Sequence, residues 1–169
     1  SEIDALAAKY QDQPVDILLN NAALLGDIDK QIFGDLEPEL FHDVMAVNVL
    51  GPLRLSEAFI DNVAMSEQKK ITALTSGLGS IAMTERMGRF YYYRMSKAAL
   101  NMGMRALRAD LRKRGIIVSL ISPGMVATDM LWESGYRGEA LTTEDSVDGM
   151  ARILAEQTIE DPGIITNTD

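Results

Sequence analysis

Four short apolar runs, each closed by a turn, constrain this chain more than any other feature. Val15-Asp16-Ile17-Leu18-Leu19 lies between Pro14 and the Asn20-Asn21 pair, and Ile71-Thr72-Ala73-Leu74-Thr75 ends at Ser76-Gly77. Ile116-Ile117-Val118-Ser119-Leu120-Ile121 ends at Ser122-Pro123-Gly124, and Ile164-Ile165-Thr166 forms a shorter fourth run. The runs are apolar almost throughout rather than alternating, which predicts strands buried on both faces. Between them, apolar residues recur at helical spacing. Phe41, Val44, Met45, Asn48, Leu55 and Phe59 mark a stripe on a helix over 39–64. Tyr93, Lys97, Leu100, Met104, Leu107 and Leu111 mark another over 93–114. A third carries Val147, Met150, Ala151 and Leu154 and is opened by Thr142 with Asp145 three residues on, a capping pattern. Strand and helix in alternation predict an α/β domain, a parallel sheet with right-handed crossovers.

At 169 residues the chain suits one domain with a real core and not two. A net charge of −9 with scattered basic residues argues against nucleic acid as a partner. The one basic cluster, Arg112-Lys113-Arg114 before Gly115, reads as cations at a helix C-terminus followed by a glycine cap. There is no cysteine, which excludes disulfides, thiol catalysis and thiolate zinc sites. A single histidine, His42, leaves no His-cluster metal site, and its neighbours Glu39, Leu40, Phe41 and Asp43 mark it as a surface or interface residue. No apolar run approaches the roughly 18 residues of a membrane span, and no signal peptide opens the chain. No membrane association and a cytoplasmic location are the expectation.

Ligands of such sheets bind beyond the carboxyl ends of the strands. Here those ends carry Asn20-Asn21-Ala22-Ala23, Ser76-Gly77 and Pro123-Gly124. The segments after the second and third strands are long and rich in Met, Gly and aromatics, as substrate-facing loops often are.

Tyr93 and Lys97 stand four residues apart, so on a helix they share a face and can converge on one point. A free tyrosine titrates near 10, and working near neutrality needs a shift worth about 4 kcal/mol. One unit charge at about 4 Å, in an effective dielectric near 20, supplies about that much. A phenol so tuned can give a proton to a carbonyl oxygen or take one from an alcohol. Ser76 could hold the same oxygen. Asn48 has a quieter signature: Pro52, four residues on, has no N–H for the Asn48 carbonyl, and Gly51 loosens the same turn. A carbonyl freed in this way wants a water. A simple packing kink is the alternative.

Asn-Asn-Ala-Ala, Asn48, Ser-x-x-Gly, Tyr-x-x-x-Lys and Pro-Gly, in this order, closely resemble the short-chain dehydrogenase/reductase family. Leu78-Gly79-Ser80-Ile81 and the stretch from Tyr91 to Asn101 are most similar to its carbonyl-reductase-type members, related to C-factor and sniffer. The resemblance implies a Rossmann-like doubly wound sheet and hydride transfer between NADP or NAD and a small carbonyl or alcohol substrate. It makes Tyr93 the catalytic acid and base, and Lys97 the residue that lowers its pKa and binds the nicotinamide ribose. Ser76 would hold the substrate oxygen, and Asn48 would anchor the water of a proton relay. Asn21 and Ala22 would lie near the adenosine side of the cofactor. Pro123, Gly124, Val126 and Thr128 would meet the nicotinamide carboxamide and the phosphates. A homodimer or homotetramer through helices 39–64 and 93–114 is implied as well.

Two departures qualify it. Ser80, not Ser76, has the family's usual spacing to Tyr93, although Ser76 opens Ser-x-x-Gly directly after its strand. The family's N-terminal Thr-Gly-x-x-x-Gly-x-Gly segment is absent. Residues 1–169 thus correspond to the last four strands of a seven-stranded sheet and form a single partial domain. The expectation is a portion of a longer enzyme whose first strand has an unprotected edge. Residues 1–169 alone are expected to aggregate or to bind nicotinamide cofactor poorly, and tight stoichiometric binding would overturn this.

Three rivals compete. Gly77-Leu78-Gly79-Ser80-Ile81-Ala82 fits a Gly-x-Gly-x-x-Ala dinucleotide fingerprint, but Thr84-Glu85-Arg86-Met87-Gly88-Arg89 breaks the helix such a motif should open. A nucleotide-sugar epimerase or dehydratase would share Tyr-x-x-x-Lys. A regulatory or signalling protein would keep the fold without turnover. Met83, Met87, Met125 and Met130, with Trp132, suggest an apolar and tolerant substrate pocket.

Overall fold

The computed structural model describes residues 1–84, 88–161 and 165–167. Strand β1 (Ile17–Asn20) precedes a small antiparallel hairpin, β2 (Gln31–Ile32) and β3 (Asp35–Leu36). Strands β4 (Lys70–Leu74), β5 (Ile117–Ser122) and β6 (Ile165–Asn167) follow. The apolar runs pair in parallel, in the order β1-β4-β5-β6. Their limits shift by only a residue or two from those expected, and Ile164 lies outside the described residues. Strand β1 is an edge of this sheet, with Leu19 39% exposed.

Strands β4 and β5 are closed off on both faces, as non-alternating runs require. Ile71, Thr72, Ala73, Val118 and Leu120 are all inaccessible to solvent. The apolar members pack with Val63, Leu100, Met104 and Ile116 in one core. The two polar side chains there satisfy each other: the Thr72 and Ser119 hydroxyls lie 2.8 Å apart, and Ser119 donates to Gln157 Oε1 at 2.9 Å. Left unpaired, such groups would cost about 1–3 kcal/mol each.

Helix α1 (Glu2–Lys9) is held by a capping box from Ser1 and buries none of its residues, so its sequence carries no strong periodic signal. The single helix expected over 39–64 is instead three, joined by a wider turn. These are α2 (Pro38–Met45), a π turn at Ala46–Leu50, α3 (Gly51–Ala58) and α4 (Ile60–Ala64). Pro52 explains the first break. With no N–H at 52, the ladder re-forms one residue later, and Gly51 donates five residues back to the Ala46 carbonyl.

Helix α5 (Tyr91–Leu111) starts two residues before the expected limit, behind Phe90 in a left-handed conformation (φ 62°). It ends in a 3-10 turn, Arg112–Arg114, closed by Gly115 at φ 70°. The basic cluster therefore sits where a helix end favours cations. Helix α6 (Asp129–Glu133) is too short to show a period. Helix α7 (Thr143–Glu156) opens on Thr142, whose hydroxyl oxygen accepts from the Asp145 N–H at 3.0 Å. Its far end is tied to the sheet by buried Lys70, which donates to the Leu154 and Ala155 carbonyls. His42 is exposed, its ring edge-on to Phe41. Among the described residues, no helix is long and apolar enough to cross a membrane.

Candidate active site

The first turns of α5 deliver Tyr93 and Lys97 to the carboxyl edge of the sheet, with the side chains nearly inaccessible at 7% and 2% exposure. Lys97 Nζ stands 5.6 Å from the centre of the Tyr93 ring and donates to the carbonyl of Leu74, the last residue of β4, at 2.9 Å. That bond links the helix to the strand end from which Ser76 follows. Burial brings the lysine down from 10.5 to about 8.

The phenol behaves differently from expectation. Burial pushes Tyr93 above its ordinary 10.0, and only the nearby Ser76 hydroxyl works in the downward direction. The expected lowering by Lys97 is corrected here for a geometric reason. The ammonium is committed to the Leu74 carbonyl and lies over the ring, so loss of water dominates the phenol's titration. The two serines sit in different surroundings. Ser76 bears on Tyr93, whereas Ser80 lines a separate apolar cleft of about 270 Å³ with Ile81, Tyr91, Arg94 and Met95.

Asn48 reaches the centre through its side chain. Its Oδ1 accepts from the Leu24 N–H at 2.7 Å, and its Nδ2 donates to the Leu24 carbonyl at 2.9 Å and to Ser96 Oγ at 2.9 Å. Ser96 in turn donates to the Tyr93 carbonyl at 2.8 Å. Ser96 was not foreseen, although a serine inside a helix commonly bonds back to a carbonyl of the preceding turn. Gln31 was not foreseen either; its Oε1 accepts from the Tyr93 N–H.

The expected cofactor residues rim the same edge. Asn21 and Ala22 are exposed beyond β1, while neighbouring Asn20 is buried and donates to the Thr72 carbonyl at 3.3 Å. Beyond β5, Gly124 adopts φ 79°, and the Pro123 carbonyl accepts from Ser146 Oγ at 2.8 Å. Val126 bridges to Leu141, and Thr128 caps α6 with its hydroxyl oxygen 3.4 Å from the Leu131 N–H. None of these six hydrogen-bonds Tyr93 or Lys97 among the described residues.

On the substrate side, Leu25, Phe90 and Tyr93 form a buried cluster flanked by Ile28, Leu78 and Met130. Met130 therefore packs at the site. Met83, Met125 and Trp132 are 71%, 48% and 40% exposed, and Met87 lies outside the described residues. Asp27, Arg89 and Glu133 line a polar cleft of about 360 Å³ that begins at Leu25. A buried phenol that holds its proton at neutral pH, beside a hydroxyl, is equipped to protonate an incoming oxygen. Among the described residues, the tempting glycine fingerprint at 77–82 opens a 3-10 turn, Gly77–Gly79, and no dinucleotide-type helix.

Comparison with known proteins agrees. The short chain dehydrogenase family matches residues 1–137. C-signal of Myxococcus xanthus is 37% identical over 156 residues, covering 89% of this chain and 86% of its own. The 1-hydroxy-2-glutathionyl-2-methyl-3-butene dehydrogenase of Rhodococcus sp. (strain AD45) is 32% identical over 169 residues, covering 99% and 72%. The crystal structure of an NADPH-bound carbonyl reductase from chicken fatty liver superposes with a TM-score of 0.85 at 29% identity, over 98% of this chain and 69% of that one. With sheet, motif order and relatives in agreement, the chain belongs to the short-chain dehydrogenase family, an oxidoreductase family with the Rossmann-like fold.

Proposed function

We propose that the chain carries the catalytic centre of an NAD(P)-dependent oxidoreductase that moves hydride between nicotinamide and a carbonyl or alcohol. The observation that carries this reading is the convergence of the Ser76 hydroxyl and the Lys97 ammonium on buried Tyr93. Tyr93 gives its proton to the carbonyl oxygen in reduction and recovers one in oxidation, as general acid and base. Ser76 holds the same oxygen. Lys97 stays beside the ring, tied to the Leu74 carbonyl, where it would meet the nicotinamide ribose. Asn48 contributes through its backbone carbonyl, since its side chain is fully engaged with Leu24 and Ser96.

The residues present fit a nicotinamide cofactor. Asn21 and Ala22 are accessible at the sheet edge, and Gly124 takes a left-handed turn that a side chain would strain. Asn21 and Ala22 would serve the adenosine side, Tyr93 and Lys97 the ribose, and Pro123, Gly124, Val126 and Thr128 the carboxamide and phosphates. When bound, the cofactor supplies or accepts the hydride. The dehydrogenase relative supports this chemistry, and the NADPH-bound carbonyl reductase supports a nicotinamide dinucleotide as its cofactor. A cytoplasmic site of action goes with the same proposal.

Exposed apolar residues on the π turn and on α5 favour self-association. Val47 and Leu50 are 40% and 57% exposed, and Met95 and Met102 on α5 are 49% and 69% exposed. A homodimer or homotetramer would cover them. The name C-signal, borne by a relative, favours a second reading as a signalling protein without turnover. NADPH consumption by the intact protein with a panel of aldehydes, ketones and quinones separates the two. The catalytic reading expects turnover that Tyr93→Phe abolishes. No turnover with any of them leaves the signalling reading ahead.

A further inference from the structure

Gln31 is wholly buried, although it belongs to a two-residue strand in an otherwise irregular stretch. Its amide is fully used. Nε2 donates to the Leu25 carbonyl at 2.9 Å and to the Asp27 carbonyl at 3.2 Å, and Oε1 accepts from the Tyr93 N–H at 3.0 Å. Two acceptors on one side and a donor on the other fix the orientation of the amide, because a flip would set like against like at all three contacts.

Tyr93 is the third residue of α5, so its N–H is one of the donors that a helix start leaves without an internal partner. A side chain at the N-cap usually satisfies that donor. Here the N-cap is Phe90, which offers no such side chain and sits at φ 62°. The cap comes instead from Gln31, 62 residues away in the chain. The same amide grips the backbone of 25–27, and Leu25 packs in one cluster with the Tyr93 ring. Asn48 holds the adjoining Leu24 through both of its backbone groups. The wall of the site and the start of the catalytic helix are thereby pinned to one another from two sides.

We propose that Gln31 is a positioning residue for the Tyr93 centre: by capping α5 at Tyr93 and holding the 25–27 backbone, it sets the phenol against Ser76 and the substrate oxygen. The proposal rests on Tyr93 being the proton donor. Its value lies in alignment, since misplacing a reacting group by about 1 Å can cost on the order of a hundredfold in rate.

The experiment compares Gln31→Met, Gln31→Glu and Tyr93→Phe in the intact protein, with kcat and KM for NADPH and for the best carbonyl of the panel. Gln31→Met fills the space without polar contacts, and kcat is expected to fall at least tenfold while KM for NADPH stays within twofold. Gln31→Glu, held as the neutral acid by burial, keeps an oxygen for the Tyr93 N–H and an O–H for one of the two carbonyls, so kcat should return to within fivefold of wild type. Protection of the Tyr93 amide from hydrogen exchange, a readout independent of turnover, should fall at least tenfold in Gln31→Met and persist in Gln31→Glu. If Gln31→Met does not fold, Gln31→Ser, which leaves room for water on the two carbonyls, takes its place with the same expectation. Wild-type kcat and amide protection in the Met or Ser variant would overturn the proposal. So would a loss shared equally by kcat, KM for NADPH and the Glu variant. Tyr93→Phe separates the two readings. If it retains turnover, the role of Tyr93 fails; if it is inactive while Gln31→Met matches wild type, the role of Gln31 alone fails.

Discussion

Gly79 rests directly on Lys97: a β-carbon at position 79 would stand 2.8 Å from the lysine's Cβ and 2.9 Å from its carbonyl carbon. That approach explains a glycine which otherwise resembles part of a dinucleotide fingerprint. The residue serves helix packing, not phosphate binding. Gly79→Ala must push the turn after β4 away from α5, because the obstacle includes backbone. We expect a loss of about 1–3 kcal/mol in urea denaturation, typical of overpacking. A larger fall in kcat than in cofactor affinity should accompany it, since Ser76 begins that turn.

Stability should depend on pH through Lys97. A lysine titrating at about 8 in the folded chain and at 10.5 when unfolded binds fewer protons in the folded state between those values. Stability therefore rises with pH from about 8, by up to on the order of 3 kcal/mol once the window is crossed. Tyr93 acts with the opposite sign. Its raised pKa means the folded state keeps a proton that the unfolded chain loses above 10.0, so the gain flattens or reverses there. Urea denaturation between about pH 7 and 10 checks the rise, and Lys97→Met should remove it.

Asn48→Ala strips partners from both backbone groups of Leu24 and from Ser96. The expected cost is about 2–4 kcal/mol, because partly buried polar groups are left unsatisfied. Limited proteolysis should then cut within residues 21–30 faster than in wild type. Unchanged cleavage and denaturation midpoint would show that the loop is held by other contacts.

Lys70→Met provides a contrast. Lys70 is 4% exposed and bonds the end of α7, at the start of β4 and away from the site. Four residues of strand put it roughly 13 Å from Leu74, at about 3.3 Å per residue. Stability should drop by about 1–3 kcal/mol for the orphaned carbonyls, with kcat unchanged at temperatures where the variant is folded.

The parts legible in the sequence were those with a period or an ordered motif. Strands β4 and β5 showed as unbroken apolar runs because both of their faces are covered, and β1 showed through Ile17-Leu18-Leu19 although Leu19 is exposed. Helix α5 showed because Leu100, Met104 and Leu111 all face one core. Tyr93, Lys97 and Ser76 were found by spacing and by their place after a strand. The split of the 39–64 helix was visible only as a proline and a glycine, whose effect on helix geometry needed coordinates. Gln31 was invisible because its partners are backbone groups, and backbone leaves no trace in composition. Leu24 escaped for the same reason. The direction of the Tyr93 shift also needed coordinates, because spacing shows that a lysine is near but not which carbonyl holds it.

The π turn at Ala46–Leu50 carries one residue more than the α geometry on either side would need. One extra residue rotates everything beyond it by about 100° around the axis. Asn48 faces Leu24 and Ser96 on one side of that phase change, while Pro52 and Ser56 are buried on the other. A substitution in the turn can alter chemistry but leaves the rotation intact. A one-residue deletion would unwind it and swing Asn48 away from its partners. At this point the chain stores its site as a residue count as much as an alphabet, and a gap is more damaging there than a wrong letter.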